Sequence, residues 1–173
     1  MLYRLIFLLL PLLCGEALAQ EQSQLNIESL SGISDIVVVV EEPDPQGRIE
    51  GLSRDEIKTE VELRLRRNGI GVLDWTGSSS NLSSSWIEDG GPHLHVIINT
   101  KGPDDGLLTF SMDIALKQDV YLERNDQLVN DVSTWEVGAL GTVGINHVND
   151  IISAVGSYVD IFCNDYLSVN PRR

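Results

Sequence analysis

Asn146–Pro171, NHVNDIISAVGSYVDIFCNDYLSVNP, is the stretch whose reading decides the fold. Val148, Ile151, Ile152, Val155, Val159, Phe162 and Tyr166 recur at steps of three and four, which is one apolar stripe of an α-helix. Asn149, Asp150, Ser153, Ser157, Asp160 and Asn164 form the polar face between them. Full burial of that stripe contributes about 10–20 kcal/mol, an upper bound because unfolded chains already bury part of their apolar surface. A stripe of this size needs a sheet or other helices to cover it.

The cover is supplied upstream. In LTFSMDIALKQDVYL, residues 108–122, Leu108, Phe110, Met112, Ile114, Leu116, Val120 and Leu122 alternate with Thr109, Ser111, Asp113, Lys117 and Asp119. Period-two alternation over this length predicts a long antiparallel strand with one wet face. His93–Thr100, HLHVIINT, alternates too, with Leu94, Val96 and Ile98 on one face and His93, His95, Ile97 and Asn99 on the other. Gly102–Gly106, GPDDG, reads as the hairpin loop between these strands. Glu123–Asp131 reads as a polar turn region, and Val132–Leu140 as the last strand, with Trp135, Val137 and Ala139 on one side. Gly138, Gly141 and Gly144 then read as a flexible passage from strand to helix.

The N-terminal half carries the other elements. Ile36–Val40, IVVVV, predicts a central strand covered on both faces. Glu41, Glu42 and Asp44 among Pro43 and Pro45 read as a solvated strand exit, since two prolines cannot sit inside a ladder. Ser53 with Glu56 forms a capping-box pattern, Ile57, Val61 and Leu65 share a helical face, and Gly69 closes the helix with Ile70 beside it. Arg64, Arg66 and Arg67 suit the negative end of that helix dipole and can pair with Glu60 and Glu62. Gly71–Trp75 reads as a short strand. Residues 76–92, rich in serine and glycine and holding Trp86, read as a mobile loop.

The chain has 173 residues, 42% hydrophobic and 22% charged, with a net charge of −14. These values suit one globular domain. The acidity opposes binding to DNA, RNA or anionic lipid, which need a basic surface. Residues 1–19 read as a cleaved signal peptide. Arg4 precedes the apolar run Leu5–Leu13, and Ala17-Leu18-Ala19 fits the small-x-small cleavage rule. Cys14 raises a lipoprotein signal as the alternative, but the residue before it, Leu13, is too large for a lipobox. After cleavage Cys163 is the one cysteine left, so no internal disulfide forms. It reads as a small buried hydrophobe.

Chemistry is sparse. His93 and His95 at i, i+2 share a strand face and His147 opens the last helix; such a pair can ligate zinc or copper, but no H-E-x-x-H or cysteine cluster supplies a third ligand. Against the metal reading stands the simpler one, surface histidines on a solvated strand. The glycine run lacks dinucleotide spacing and a P-loop lysine, and there is no G-x-S-x-G. No catalytic residue, cofactor-binding residue or metal ligand is assigned, and no cofactor is expected.

Several segments nevertheless form a pattern. They are Gly51-Leu52, Val61–Arg66 through Gly69–Val72, Leu116–Val120 with Arg124-Asn125, Thr134-Trp135, Gly141–Gly144, and Val159-Asp160 through Asn164–Pro171. Together they resemble a family of small exported bacterial proteins of unknown function. The resemblance spans most of the mature chain and implies export across a bacterial inner membrane. It implies no activity, cofactor or catalytic residue.

The expected architecture is therefore α+β: a mostly antiparallel sheet of about five strands with two helices on one face, the C-terminal helix the longer. Residues 20–29 are a loose leader and residues 30–171 a single domain. The expected function is an exported soluble protein, periplasmic or extracellular, acting as a non-catalytic binding or envelope-assembly module. Its partner is unknown, an envelope protein being one candidate, with no nucleic acid and no membrane span after cleavage. The alternative is a metal-binding protein or metal-dependent enzyme using His93 and His95.

Overall fold

The computed structural model describes residues 24–74, 91–104 and 106–171. Residues 1–19, which read as a signal peptide, Trp75 and most of the serine-rich loop with Trp86 lie outside them.

The β-branched run forms β1 (Asp35–Val40), with Ile36, Val37 and Val38 all fully buried, as a strand covered on both faces requires. A short helix α1 (Pro45–Ile49) follows, where a plain strand exit was expected. Its Pro45 sits in the first turn, where a missing N–H costs nothing. Helix α2 (Arg54–Arg67) buries Ile57, Val61 and Leu65. Ser53 is its N-cap residue but makes no side-chain capping bond, so the capping box is absent. The other end closes as read. Gly69 takes φ +75°, its N–H donates to the Arg66 carbonyl at 3.0 Å, and the N–H of buried Ile70 donates to Leu65 at 3.0 Å.

β2 (Gly71–Leu73) returns parallel to β1, and β3 (His93–Asp104) lies parallel on β1's other side. β4 (Leu107–Leu122) and β5 (Gln127–Gly144) extend the sheet by long antiparallel ladders. The order is β2-β1-β3-β4-β5, a mixed five-stranded sheet in which the antiparallel pairings are much the longer. A 3₁₀ turn, Ile145–His147, leads into α3 (Asn149–Val169). The protein is α+β, and α3 is the longest helix described.

β5 is longer at both ends than the sequence suggested. The turn before it shrinks to residues 123–126, and the glycine run lies within the strand rather than after it. The reason is local. A Cβ on Gly141 would stand 2.7 Å from the Phe110 ring, and one on Gly138 2.8 Å from an Asp113 carboxylate oxygen. These glycines admit cross-strand side chains within the strand and are not a flexible passage out of it. Residues 24–28 are helical rather than loose.

The core joins Leu94, Val96, Leu108, Met112, Ile114 and Leu116 from one sheet face to Ile57, Val61 and Leu65 of α2 and Ile151, Val155, Val159 and Phe162 of α3. Phe162 meets Trp135 edge-on at 5.0 Å and Tyr166 at 6.2 Å. Gly156 lies against the Arg64 guanidinium, where a Cβ would come within 2.6 Å of Nε. Arg64 in turn pairs with Glu60 at 2.7 Å and with Asp160 of α3. Arg66 pairs with Glu62 at 2.8 Å.

Candidate functional site

The segments behind the family resemblance turn out to fasten the fold. Trp135 Nε1 donates to Asp165 at 2.9 Å, and the Tyr166 hydroxyl donates to the Ile33 carbonyl at 2.5 Å. Asn170 donates to the Leu30 and Tyr166 carbonyls at 2.8 and 3.0 Å and accepts from the Gly32 N–H at 2.8 Å. The end of α3 thereby clamps the segment before β1. These residues have structural work.

His93 and His95 are brought together on the sheet face opposite the helices, but they are not solvated surface residues. His93 is 6% exposed, and the rings stand 6.3 Å apart edge-on. Each Nε2 faces a carboxylate: Asp131 at 3.2 Å from His93, Glu41 at 3.3 Å from His95. Asp131 also pairs with Lys117 at 3.1 Å. A register irregularity in the β4–β5 ladder and a left-handed φ of +57° at Asp131 accompany this placement. Asp131's own N–H donates to Asp119 at 3.0 Å. Burial lowers the pKa of both histidines, outweighing the attraction of the carboxylates, and Lys117 lowers them further. Both rings are thus held neutral near pH 7. Among the described residues no group of three histidines, cysteines or carboxylates is arranged to hold a metal ion. His147 lies elsewhere, 3.7 Å from Asp150 on an exposed turn.

Asp44, in sequence part of a solvated strand exit, has a different task in the fold. Its carboxylate accepts from the Gln46 and Gly47 N–H groups at 2.9 and 3.0 Å, from the Thr100 hydroxyl at 2.8 Å, and from the Thr100 N–H. Partial burial works to raise its pKa, but these donors together lower it. It pins α1 to β3. An aspartate immediately before proline is a recognisable N-cap signal; the tie to Thr100 is not visible in sequence.

Cys163 is buried and free, and burial pushes its thiol up to about 11. It is neither a nucleophile nor placed for intermolecular pairing at neutral pH. A groove of 540 Å³ between the first turns of α2 and α3 is lined by Asp55, Glu56, Thr59, Glu60, Asn149, Ile152 and Ser153. It is open, and three of its seven lining side chains are carboxylates.

What stands out instead is the far side of the sheet. Among the described residues β5 is the edge strand beyond β4, with nothing paired to it. Leu140 projects from it on the open face and is 78% exposed. The Ile145 N–H donates to the Gly106 carbonyl at 3.1 Å, in the same register that pairs Leu107 with Gly144. That register makes the odd-numbered residues of the strand's second half the ones bonded to β4. Glu136, Gly138, Leu140, Thr142 and Gly144 therefore direct their N–H and C=O groups outward.

No protein-family model matches the chain. No curated protein matches it either. Three solved structures are similar in part. A PelC dodecamer from Paraburkholderia phytofirmans is 12% identical, with a TM-score of 0.46 over 73% of this chain and 86% of that one. A minor lipoprotein from Acinetobacter baumannii is 9% identical, with 0.36 over 76% and 90%. Lipoprotein GNA1162 from Neisseria meningitidis is 16% identical, with 0.37 over 73% and 98%. At such identities and scores the likeness carries no functional argument. Among the described residues no helix is long and apolar enough to cross a membrane.

Proposed function

We propose that this protein is an exported bacterial binding or envelope-assembly module without catalytic activity, and that it engages its partner through the free edge of β5. The single observation that carries the reading is that edge: outward-directed backbone groups from Glu136 to Gly144 beside an exposed Leu140. Strand addition to such an edge gives affinity through main-chain hydrogen bonds and specificity through alternate side chains. Export is supported by the signal-peptide pattern of residues 1–19, and membership of the family of small exported bacterial proteins by the segments quoted above. The Nε2 atoms of the histidine pair face Asp131 and Glu41.

The test is position-specific photo-cross-linking in the intact bacterial envelope. A photoreactive residue at Leu140 or Thr142 is expected to give protein adducts. The same residue at Leu63, exposed on α2, is expected to give none. Equal labelling from all three positions, or turnover found in a substrate screen, would sink the reading.

A further inference from the structure

We infer that the occupant of the β5 edge is a second copy of this chain, paired antiparallel about a two-fold axis at Leu140. The inference rests on the edge-binding function proposed above and names its partner.

Natural edge strands are normally protected by lysine, proline, bulges or inward-pointing charge. From Val137 to Gly144, VGALGTVG, β5 has none of these. The protections are confined to its other half. There the register shifts, Asp131 takes a left-handed φ, and the Thr134 carbonyl already accepts from the Ser29 hydroxyl at 3.1 Å. Only the second half of the strand is left open for pairing.

That half is self-complementary. In an antiparallel pair, residues that exchange both hydrogen bonds face one another. Centring the two-fold on Leu140 sets Leu140 against its copy, Gly138 against Thr142, and Glu136 against Gly144. Every outward N–H and C=O from Glu136 to Gly144 then finds a partner. Shifting the centre by one residue either way leaves one outward residue of each copy unmatched. No charge faces a like charge in the chosen register, since each Glu136 meets a glycine. The two Leu140 side chains lie on the same open face and cover each other. The two five-stranded sheets become one continuous sheet.

The interface is small. A single strand pair buries less than the about 800 Å² per partner of a standard stable complex, so the association is expected to be micromolar. Each chain also carries a net charge of −14. Repulsion between the copies weakens pairing at low ionic strength, and salt strengthens it.

Cysteine substitution tests the register. The hydrogen-bonded pair holds the two copies of residue 140 about 5.5 Å apart at Cα, within the Cα range a disulfide spans. The exported chain carrying Leu140→Cys is expected to form a disulfide dimer under mild oxidation. Thr142→Cys, four positions out of register with its own copy, is expected to remain monomeric. Buried Cys163 does not compete. In sedimentation velocity the unmodified chain is expected to dimerise between roughly 10 and 500 μM, more strongly in 0.5 M salt. Leu140→Lys, which sets two ammonium groups face to face, is expected to abolish dimerisation with its thermal unfolding unchanged. Oxidation of Leu140→Cys no faster than of Thr142→Cys, together with a monomer at the highest concentration in salt, overturns the inference. If envelope adducts from position 140 persist in that case, edge binding stands with a different partner; if they too are absent, both readings fall.

Discussion

Replacing Phe162 with alanine probes the organisation of the whole molecule. Phe162 is 0% exposed on α3 and meets Trp135 of β5 edge-on at 5.0 Å and Tyr166 at 6.2 Å. Its removal leaves a cavity between helix and sheet, and buried Phe→Ala changes cost about 3–5 kcal/mol. The lost aromatic pair adds about 0.5–1.5 kcal/mol beyond area burial, which places the expected cost in the upper part of that range. For a chain of this length that is a fall in Tm of roughly 6–20 °C. Urea unfolding followed by tryptophan fluorescence reads it as a lower midpoint with unchanged slope. Ile161→Ala is the control, since Ile161 is 43% exposed and one position round the same helix, with an expected effect within about 0.5 kcal/mol. If Phe162→Ala and Ile161→Ala shift the midpoint equally, α3 is peripheral and this account of the core is wrong.

Three further outcomes follow from the geometry. Asp44→Ala removes the cap of α1 and the acceptor for Thr100, and is expected to cost about 1–3 kcal/mol in the same urea assay; no loss would mean that α1 is not pinned to β3. Gly141→Ala forces a Cβ toward the Phe110 ring, and a destabilisation of about 1–3 kcal/mol is expected, visible as a lower Tm; a neutral result would show that the ring moves aside freely. The third concerns pH. The folded pKa values of His93 and His95 lie below 6.5, so the unfolded chain binds more protons as pH falls below that value. Stability is then full above pH 6.5 and declines as pH drops through the folded values. The double variant His93→Gln, His95→Gln is expected to flatten that decline. Asp44 acts in a lower window, its contribution being lost as pH falls below 3.8. An identical decline near pH 6 in the double variant would locate the titrating groups elsewhere.

Local periodicity carried far in this chain. The three-and-four stripe of α3, the alternation of β4 and the glycine stop of α2 each follow from side-chain placement within one element, and such placement is written directly in residue order. A Ser53 side-chain cap did not form, because a cap pattern offers a bond and does not compel it. Gly138 and Gly141 read in sequence as a flexible passage because the side chains that need their space, Asp113 and Phe110, come from a different strand. The burial of His93 was hidden for the same reason: its alternation set it on the wet face, while its partners Asp131 and Lys117 arrive from β5 and β4.

By itself the sequence determined that this chain is an α+β protein with a long C-terminal helix covering an alternating strand, since both periods are local. Only the tertiary structure decided which strand would be left at the edge, because strand order depends on pairings between distant segments. It also gave the resembling C-terminal segment its meaning. Asp165, Tyr166 and Asn170 reach Trp135, Ile33, Leu30 and Gly32, residues up to 140 positions away. The end of the helix on which the fold turns is a clasp on the segment before β1, and among the described residues β5, with its exposed Leu140, lies at the sheet edge.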